Sequence, residues 1–141
     1  MTFKSFESLT KGSAIELDKV LSQVKFNEDG LISAIAQDHK TKEVLMLAWM
    51  NIHSLKETIE TKQVCYWSRS RNCYWRKGES SGHRQTLKSL SFDCDGDCIL
   101  MQVHQKGAAC HTNRTSCFYL EINENAQGEA QVIINSDADQ I

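Results

Sequence analysis

Six residues at positions 93–98, Asp-Cys-Asp-Gly-Asp-Cys, constrain this chain more than any other stretch. Their three carboxylates and two thiols lie between two apolar runs, 87–92 and 99–103, that are typical of strands. Carboxylates packed this closely repel one another, so such clusters usually hold a cation. Oxygen ligands suit Mg²⁺ or Ca²⁺, whereas thiols suit zinc. A solvated acidic turn is the alternative, and the cysteines favour a metal.

The acidic stretch does not fit an EF-hand loop. Counted from Asp93, the sixth and twelfth positions hold Cys98 and His104, where an EF-hand needs Gly and Glu. If the stretch is extended, its three aspartates face one way and its two cysteines the other, because side chains alternate along a strand. An extended stretch therefore predicts a hard cation on one face and a soft cation on the other.

The length and composition predict one globular domain, since 141 residues with 40% hydrophobic content can bury a core. We expect a helical lead-in at 1–25, a main domain at 26–122 and a polar tail at 123–141. No apolar run approaches the roughly 20 residues that cross a bilayer, and the N-terminus lacks the apolar core of a signal peptide. Six cysteines without a secretory signal favour thiols or metal ligands over disulfides. The cytoplasm is the expected compartment, with no membrane partner.

Apolar periodicity and turn residues predict an α+β fold, mainly antiparallel β-sheet hairpins with one central helix. Strands at 31–37 and 43–49 are separated by a polar turn and form the first hairpin. Asn51 can cap a helix at 52–61, which carries one apolar stripe. Further strands are expected at 64–68, 87–92, 99–103 and 118–122.

Positive charge is concentrated in the segment 62–88. It holds seven Lys or Arg residues and one acid, a balance of +6 in a chain whose net charge is −2. Within it, residues 67–85 combine two tryptophans and five cations with small residues, which makes a poor core and a good binding loop. A basic segment beside an acidic cluster indicates an anionic ligand, with phosphate first and nucleic acid second. The alternative is a solvated basic face.

The cysteine spacing argues against a structural zinc finger, because the chain has no Cys-x-x-Cys pair. Cys94, Cys110 and Cys117 lie in or near polar stretches. Three thiolates and a water would form an open zinc site of the catalytic kind. Cys65 and Cys73 have apolar or aromatic neighbours, so we interpret them as ordinary thiols.

Four motifs carry a family resemblance: WSRSR at 67–71, KGESSGH at 77–83, DCDGDC at 93–98 and CHTNRTSCF at 110–118. In this order, between about residues 26 and 119, the chain resembles the phosphoribosyl-AMP cyclohydrolases of histidine biosynthesis. The resemblance implies hydrolysis of the N1–C6 bond of the adenine ring of 1-(5-phosphoribosyl)-AMP. The purine ring then opens to give the formimino aminoimidazole carboxamide ribotide.

The resemblance also implies Zn²⁺ and Mg²⁺ as cofactors and an intertwined homodimer as the assembly. The implied ligands are Cys94, Cys110 and Cys117 for zinc, and Asp93, Asp95 and Asp97 for magnesium. In the family, the cysteine of the acidic cluster reaches a zinc held by the two later cysteines of the other subunit, so a shared zinc site is expected. Asn113, Lys62 and Ser80 depart from the family pattern, and none is an implied ligand.

The expected mechanism is attack by a zinc-activated water on C6, followed by cleavage of the C6–N1 bond. His111, next to Cys110, is the candidate proton shuttle, and His83 is the reserve. The residues expected to bind substrate are Arg69, Arg71, Trp75, Lys77 and Ser81.

Two other functions were weighed against this hypothesis. A nucleobase deaminase needs H-x-E and P-C-x-x-C motifs, and this chain has neither a proline nor a Cys-x-x-Cys pair. A zinc-stabilised nucleic-acid-binding module would use the basic segment 62–88 and bind DNA or RNA in a salt-dependent manner. Removal of its zinc would unfold it. The enzyme hypothesis expects a small-molecule substrate and no nucleic acid.

Overall fold

The computed structural model describes residues 2–139 and has an α+β fold, as predicted. Its helices are α1 (Phe3–Phe6), α2 (Leu17–Leu21) and α3 (Ile52–Thr61). Its strands are β1 (Ile32–Asp38), β2 (Val44–Met50), β3 (Cys65–Ser68), β4 (Cys73–Arg76), β5 (Gln85–Phe92), β6 (Cys98–Gln105), β7 (Leu120–Glu124) and β8 (Ala130–Ile134). No helix within the described range is long and apolar enough to cross a membrane.

Six strands form one sheet in the order β4-β3-β2-β1-β6-β5, and β7 and β8 form a separate two-stranded sheet. Neighbouring strands are antiparallel except for β1 and β6, which run parallel. The predominance of antiparallel hairpins is therefore confirmed. The parallel pair was not predicted, because turn residues indicate local hairpins but do not say which hairpins lie side by side.

Helix α3 occupies the range that its sequence predicts. The Asn51 side chain accepts the Ser54 backbone N–H at 2.8 Å, and the Ser54 hydroxyl accepts the Asn51 N–H at 2.9 Å. This reciprocal pair is a capping box. At the other end, Lys62 ends the helix in the left-handed region with a φ of 65°. Leu55 is buried, which anchors the helix in the core.

One face of the sheet carries the core. Alternate residues of β1 and β6 are fully buried, as expected when side chains alternate along a strand. The buried residues of these two strands are Ile32, Ala34, Ala36, Ile99, Met101 and Val103. On the opposite face, Ile35 lies directly across from Leu47 on β2 and from Leu100 on β6. We call these three residues the outer row.

Two predictions about local structure were wrong, and one open alternative was decided. The segment 67–85, predicted as a loop, contains β4, because its aromatic residues pair across to β3: Tyr66 with Trp75, and Trp67 with Tyr74. The acidic stretch, which could have been extended or a turn, is a tight turn between β5 and β6. The last predicted strand begins later, at Leu120, since β7 pairs with β8 and takes its register from that partner.

Candidate functional site

A cavity of about 510 Å³ opens beside β4 and the segment 108–117. It is lined by Met46, Arg71, Tyr74, Trp75, Arg76, Lys77, Gly78, Glu79, Ser80, Ser81, His83, Ala108, Ala109, Cys110, His111, Asn113 and Cys117. The predicted site residues among them are Arg71, Trp75, Lys77, Ser81, His83, Cys110, His111 and Cys117. The structure thus brings two thiols, two imidazoles and several cations to one concave surface.

Backbone hydrogen bonds hold the segment that carries the two cavity cysteines. The Cys110 N–H donates to the Arg114 carbonyl at 3.1 Å, and the Asn113 N–H donates to the Cys110 carbonyl at 3.0 Å. Asn113 has a φ of 66°, which asparagine tolerates better than most residues. The Cys117 N–H donates to the Leu45 carbonyl on β2 at 2.7 Å. Both thiols are therefore placed by main-chain contacts to a compact turn and to the sheet.

The two thiols interact, and their environments shift their acidities in opposite directions. Burial acts to raise the pKa of Cys110, but hydrogen bonds from the Thr112 hydroxyl, 3.0 Å from the sulfur, and from the Thr112 backbone outweigh it and lower that pKa. Burial, together with the neighbouring Cys110, raises the pKa of Cys117 to about 11. In the metal-free chain, Cys110 is therefore the thiol more readily deprotonated.

The Lys77 side chain is partly buried near the two cavity thiols. Its ammonium group donates to the Ala109 carbonyl at 2.7 Å and lies 5.3 Å from the centre of the Trp75 ring. Burial lowers the pKa of Lys77, while the nearby Cys117 and Cys110 oppose that shift. The side chain thus ties β4 to the residue before Cys110 and sets a cation beside both sulfurs.

The two cavity histidines differ in how firmly they are held. His83 Nδ1 lies 3.1 Å from the Ala108 carbonyl, which can only accept, so Nδ1 carries the hydrogen and Nε2 of the neutral ring is the acceptor. A side chain at Gly107 would meet the His83 ring at 2.5 Å, and Gly107 has a φ of 73°. His111 is exposed, and its side chain makes no hydrogen bond within residues 2–139.

The cavity also depends on residues that the sequence did not single out. Arg76 makes two hydrogen bonds to the Glu57 carboxylate on α3, at 2.8 and 2.9 Å, and so joins β4 to the helix. Gly78 has a φ of 81°, and any side chain there would overlap the Arg84 backbone. Gly78, the first of the two glycines in KGESSGH, was a sequence signal for such a close approach. The ion pair had no sequence signal, because 19 residues separate its partners.

Five predicted site residues lie outside this cavity. Arg69 stacks on the Trp49 ring at 4.7 Å and lines a separate polar cavity of about 380 Å³. The other four are Asp93, Cys94, Asp95 and Asp97, on the turn between β5 and β6.

The acidic turn is ordered by its own backbone. The Asp97 N–H donates to the Asp93 carboxylate at 3.0 Å, and the Asp93 N–H donates to the Cys98 carbonyl at 3.0 Å. A shared hydrogen bond with Asp93, and repulsion from its charge, raise the pKa of Asp97. A hard cation would relieve that repulsion, and carboxylate oxygens are the donors that Mg²⁺ prefers.

Neither predicted ligand set is gathered at one point within residues 2–139. Among the described residues, no three His, Cys, Asp or Glu side chains converge on a point that could hold a metal. Cys110 and Cys117 supply two adjacent soft donors, which fit two positions of a zinc tetrahedron. Cys94 is exposed on a different turn. Within residues 2–139, Cys94 does not join the two cavity thiols.

The comparisons with known proteins agree with one another. Residues 46–119 match the family model described as Phosphoribosyl-AMP cyclohydrolase. A protein of that name from Hydrogenovibrio crunogenus is 54% identical over 96% of this chain and 90% of its own length. One from Paramagnetospirillum magneticum is 60% identical over 76% of this chain and 81% of its own length. The matched segment includes every residue that lines the cavity, from Met46 to Cys117.

Proposed function

The chain belongs to the phosphoribosyl-AMP cyclohydrolase family, and we propose that it hydrolyses the N1–C6 bond of 1-(5-phosphoribosyl)-AMP in the histidine pathway of the cytoplasm. The observation that carries this proposal is the cavity of about 510 Å³, which gathers two thiols, two imidazoles and several cations within the matched segment. A nucleic-acid-binding module is not favoured.

The metal ligands are proposed from the donor sets described above. Cys110 and Cys117 of one chain would hold zinc together with Cys94 of the partner subunit. The aspartates of the acidic turn, Asp93, Asp95 and Asp97, would hold Mg²⁺. When bound, the zinc would supply Lewis acidity, which lowers the pKa of a water to about 7. Under this proposal the protein is an intertwined homodimer. The shared site occurs twice in it, because a twofold axis repeats each contact.

The other cavity residues would bind the substrate and move its protons. Arg71 and Ser81 are exposed on the cavity wall, where they can donate to a phosphate. Trp75 offers a ring face to the purine. The water that attacks C6 must lose a proton and N1 must gain one, and His111 and His83, which both line the cavity, would carry it.

The test is direct. Addition of 1-(5-phosphoribosyl)-AMP to the zinc-loaded protein should change the ultraviolet absorbance as the purine ring opens, and a chelator should stop the change. An unchanged spectrum with the metal-loaded protein would reject the enzyme. Salt-dependent binding of DNA or RNA by that inactive protein would support the nucleic-acid module instead.

Zinc removal should abolish turnover while leaving most of the fold. We expect this because Ile32, Ile99 and Met101 are fully buried in strands β1 and β6, whereas Cys110 and Cys117 lie in the segment that follows β6. Circular dichroism of the chelated protein should keep its helix and strand signals. Complete unfolding on chelation would contradict the prediction and indicate a structural zinc.

Arg71→Ala should raise KM more than it lowers kcat. A charge-assisted hydrogen bond to a phosphate remote from C6 stabilises the ground state and the transition state alike. The matched variant is Arg69→Ala, because Arg69 belongs to the same motif but stacks on Trp49 outside the cavity. Steady-state kinetics of both variants decide the question. A collapsed kcat with an unchanged KM in Arg71→Ala would place this arginine at the reacting atoms instead.

His111→Ala should lower kcat by about 10²–10⁴-fold with little change in KM, the usual effect of losing a proton carrier. The comparison variant is His39→Ala, since His39 lies outside the cavity. Single-turnover measurements separate the chemical step from product release. Near-normal turnover in His111→Ala would transfer the role to His83, whose Nδ1 is already held by the Ala108 carbonyl.

A further inference from the structure

The hairpin formed by β7 and β8 exposes one apolar face. Leu120 lies across from Ile134, and Ile122 lies across from Val132, so the four side chains share that face. They are between 53% and 76% exposed. Within residues 2–139, the hairpin joins no other strand. A contiguous apolar patch on a separate element is typical of an interaction surface rather than of scattered surface residues.

This hairpin cannot rely on itself for stability. An isolated two-stranded hairpin is marginal in water and usually needs a third strand or a packed face. The Asn135 N–H donates to the Tyr119 carbonyl at 2.9 Å and closes the base of the hairpin, and the Arg114 side chain links that base to the cavity segment by donating to the Ser136 carbonyl at 2.8 Å. The hairpin is thus rooted beside the cavity segment 108–117, with its apolar face uncovered.

A second uncovered apolar surface lies on the large sheet. In the outer row, Leu47 is 46% exposed and Leu100 is 38% exposed, with Ile35 between them. The helices do not cover this face, because the core packs on the opposite one. The chain therefore carries two apolar surfaces of matching character, one on the hairpin and one on the sheet.

The position of the hairpin indicates what covers it. β7 begins three residues after Cys117, where the proposed shared zinc site requires Cys94 of the partner subunit. Cys94 lies on the turn that leads into β6, the strand that carries Leu100. A partner whose acidic turn reaches Cys117 thus brings its own outer row toward the hairpin.

Charge favours the same partner. From position 118 onward, the chain has five acids and no Lys or Arg, while the segment 62–88 carries +6. Two copies can therefore set the acidic hairpin region of one against the basic segment of the other, which steers their encounter.

We propose that the apolar face of the β7–β8 hairpin packs on the outer row of a second copy of this chain. The twofold symmetry of the dimer makes the contact twice. The inference rests on the proposed shared site for the position of the partner. The hairpin is then an interface element that holds the dimer around its two cavities.

The test is a substitution on the hairpin with a matched control. Ile122→Ser combined with Val132→Ser removes one cross-strand apolar pair from the exposed face, and sedimentation equilibrium measures the dimer dissociation constant. We expect that constant to rise at least about tenfold. The control is Asn123→Ser with Gln131→Ser, an adjacent cross-strand pair on the opposite face of the same hairpin, which should leave it unchanged. The proposal would be overturned if the wild type, the hairpin variant and the control variant had equal dimer dissociation constants. A monomeric wild type would also overturn it.

A second variant tests the surface that receives the hairpin. Leu47→Ser with Leu100→Ser should weaken the dimer as the hairpin variant does, and circular dichroism checks that both variants stay folded. A dimer weakened only by the hairpin substitutions would overturn the outer row as the partner surface.

Amide exchange offers a readout without substitution, since hairpin amides should be better protected at concentrations where dimers form. None of these measurements uses turnover, so an inactive but dimeric wild type would reject the proposed function and leave this inference standing.

Discussion

Cys117→Ala should eliminate turnover, a larger loss than the about 10²–10⁴-fold expected for a proton carrier. The thiol lies beside that of Cys110 on the cavity wall. The Cys117 backbone is held by its own hydrogen bond to the Leu45 carbonyl at 2.7 Å. The substitution therefore removes a proposed metal ligand and leaves the local backbone in place. Zinc content, measured by atomic emission, should fall together with activity.

The matched control is Cys73→Ala, because Cys73 is exposed on β4 and does not line the cavity. That variant should keep both its zinc and its turnover. Full activity and full zinc content in Cys117→Ala would contradict the proposed ligand set. Full zinc content with no activity would also contradict it, since the thiol would then serve the reaction without holding the metal.

The parts of the fold that depend on neighbouring residues were predictable from the sequence. Helix α3 has its cap at Asn51 and its apolar stripe in the ten residues that follow, so its range was correct. The strand β4 was missed because its aromatic residues gain their partners only when β3 lies alongside. The parallel pairing of β1 with β6 joins segments about 65 residues apart, and no local pattern specifies it.

In the candidate site, too, features set by neighbouring residues were predictable from the sequence and long-range contacts were not. Motif residues close in sequence, such as Lys77, Ser81 and His83, do line one cavity. The contact between Lys77 and the Ala109 carbonyl spans 32 residues, so no local pattern predicted it. An extended acidic stretch would sort its side chains by alternation. Gly96, with a φ of 72°, bends it into a turn instead.

The second large effect is a gain of activity from two inactive proteins. Cys94→Ala and Cys117→Ala chains should each be inactive alone, because each lacks one proposed zinc ligand at both sites of its dimer. In a mixed dimer, one site loses both ligands. The other site receives Cys94 from the Cys117→Ala chain, and it receives Cys110 and Cys117 from the Cys94→Ala chain. That site is complete, so activity should return.

The proposed function requires two copies of the chain for each catalytic site. The test is to unfold the two variants together, refold them at equal concentration and measure turnover of 1-(5-phosphoribosyl)-AMP. Random pairing makes half of the dimers mixed, each with one intact site of two, so the mixture should regain about one quarter of the wild-type activity. Mass spectrometry of the intact complexes confirms that mixed dimers have formed. Mixed dimers that form and stay inactive would contradict the claim and place each zinc within a single chain.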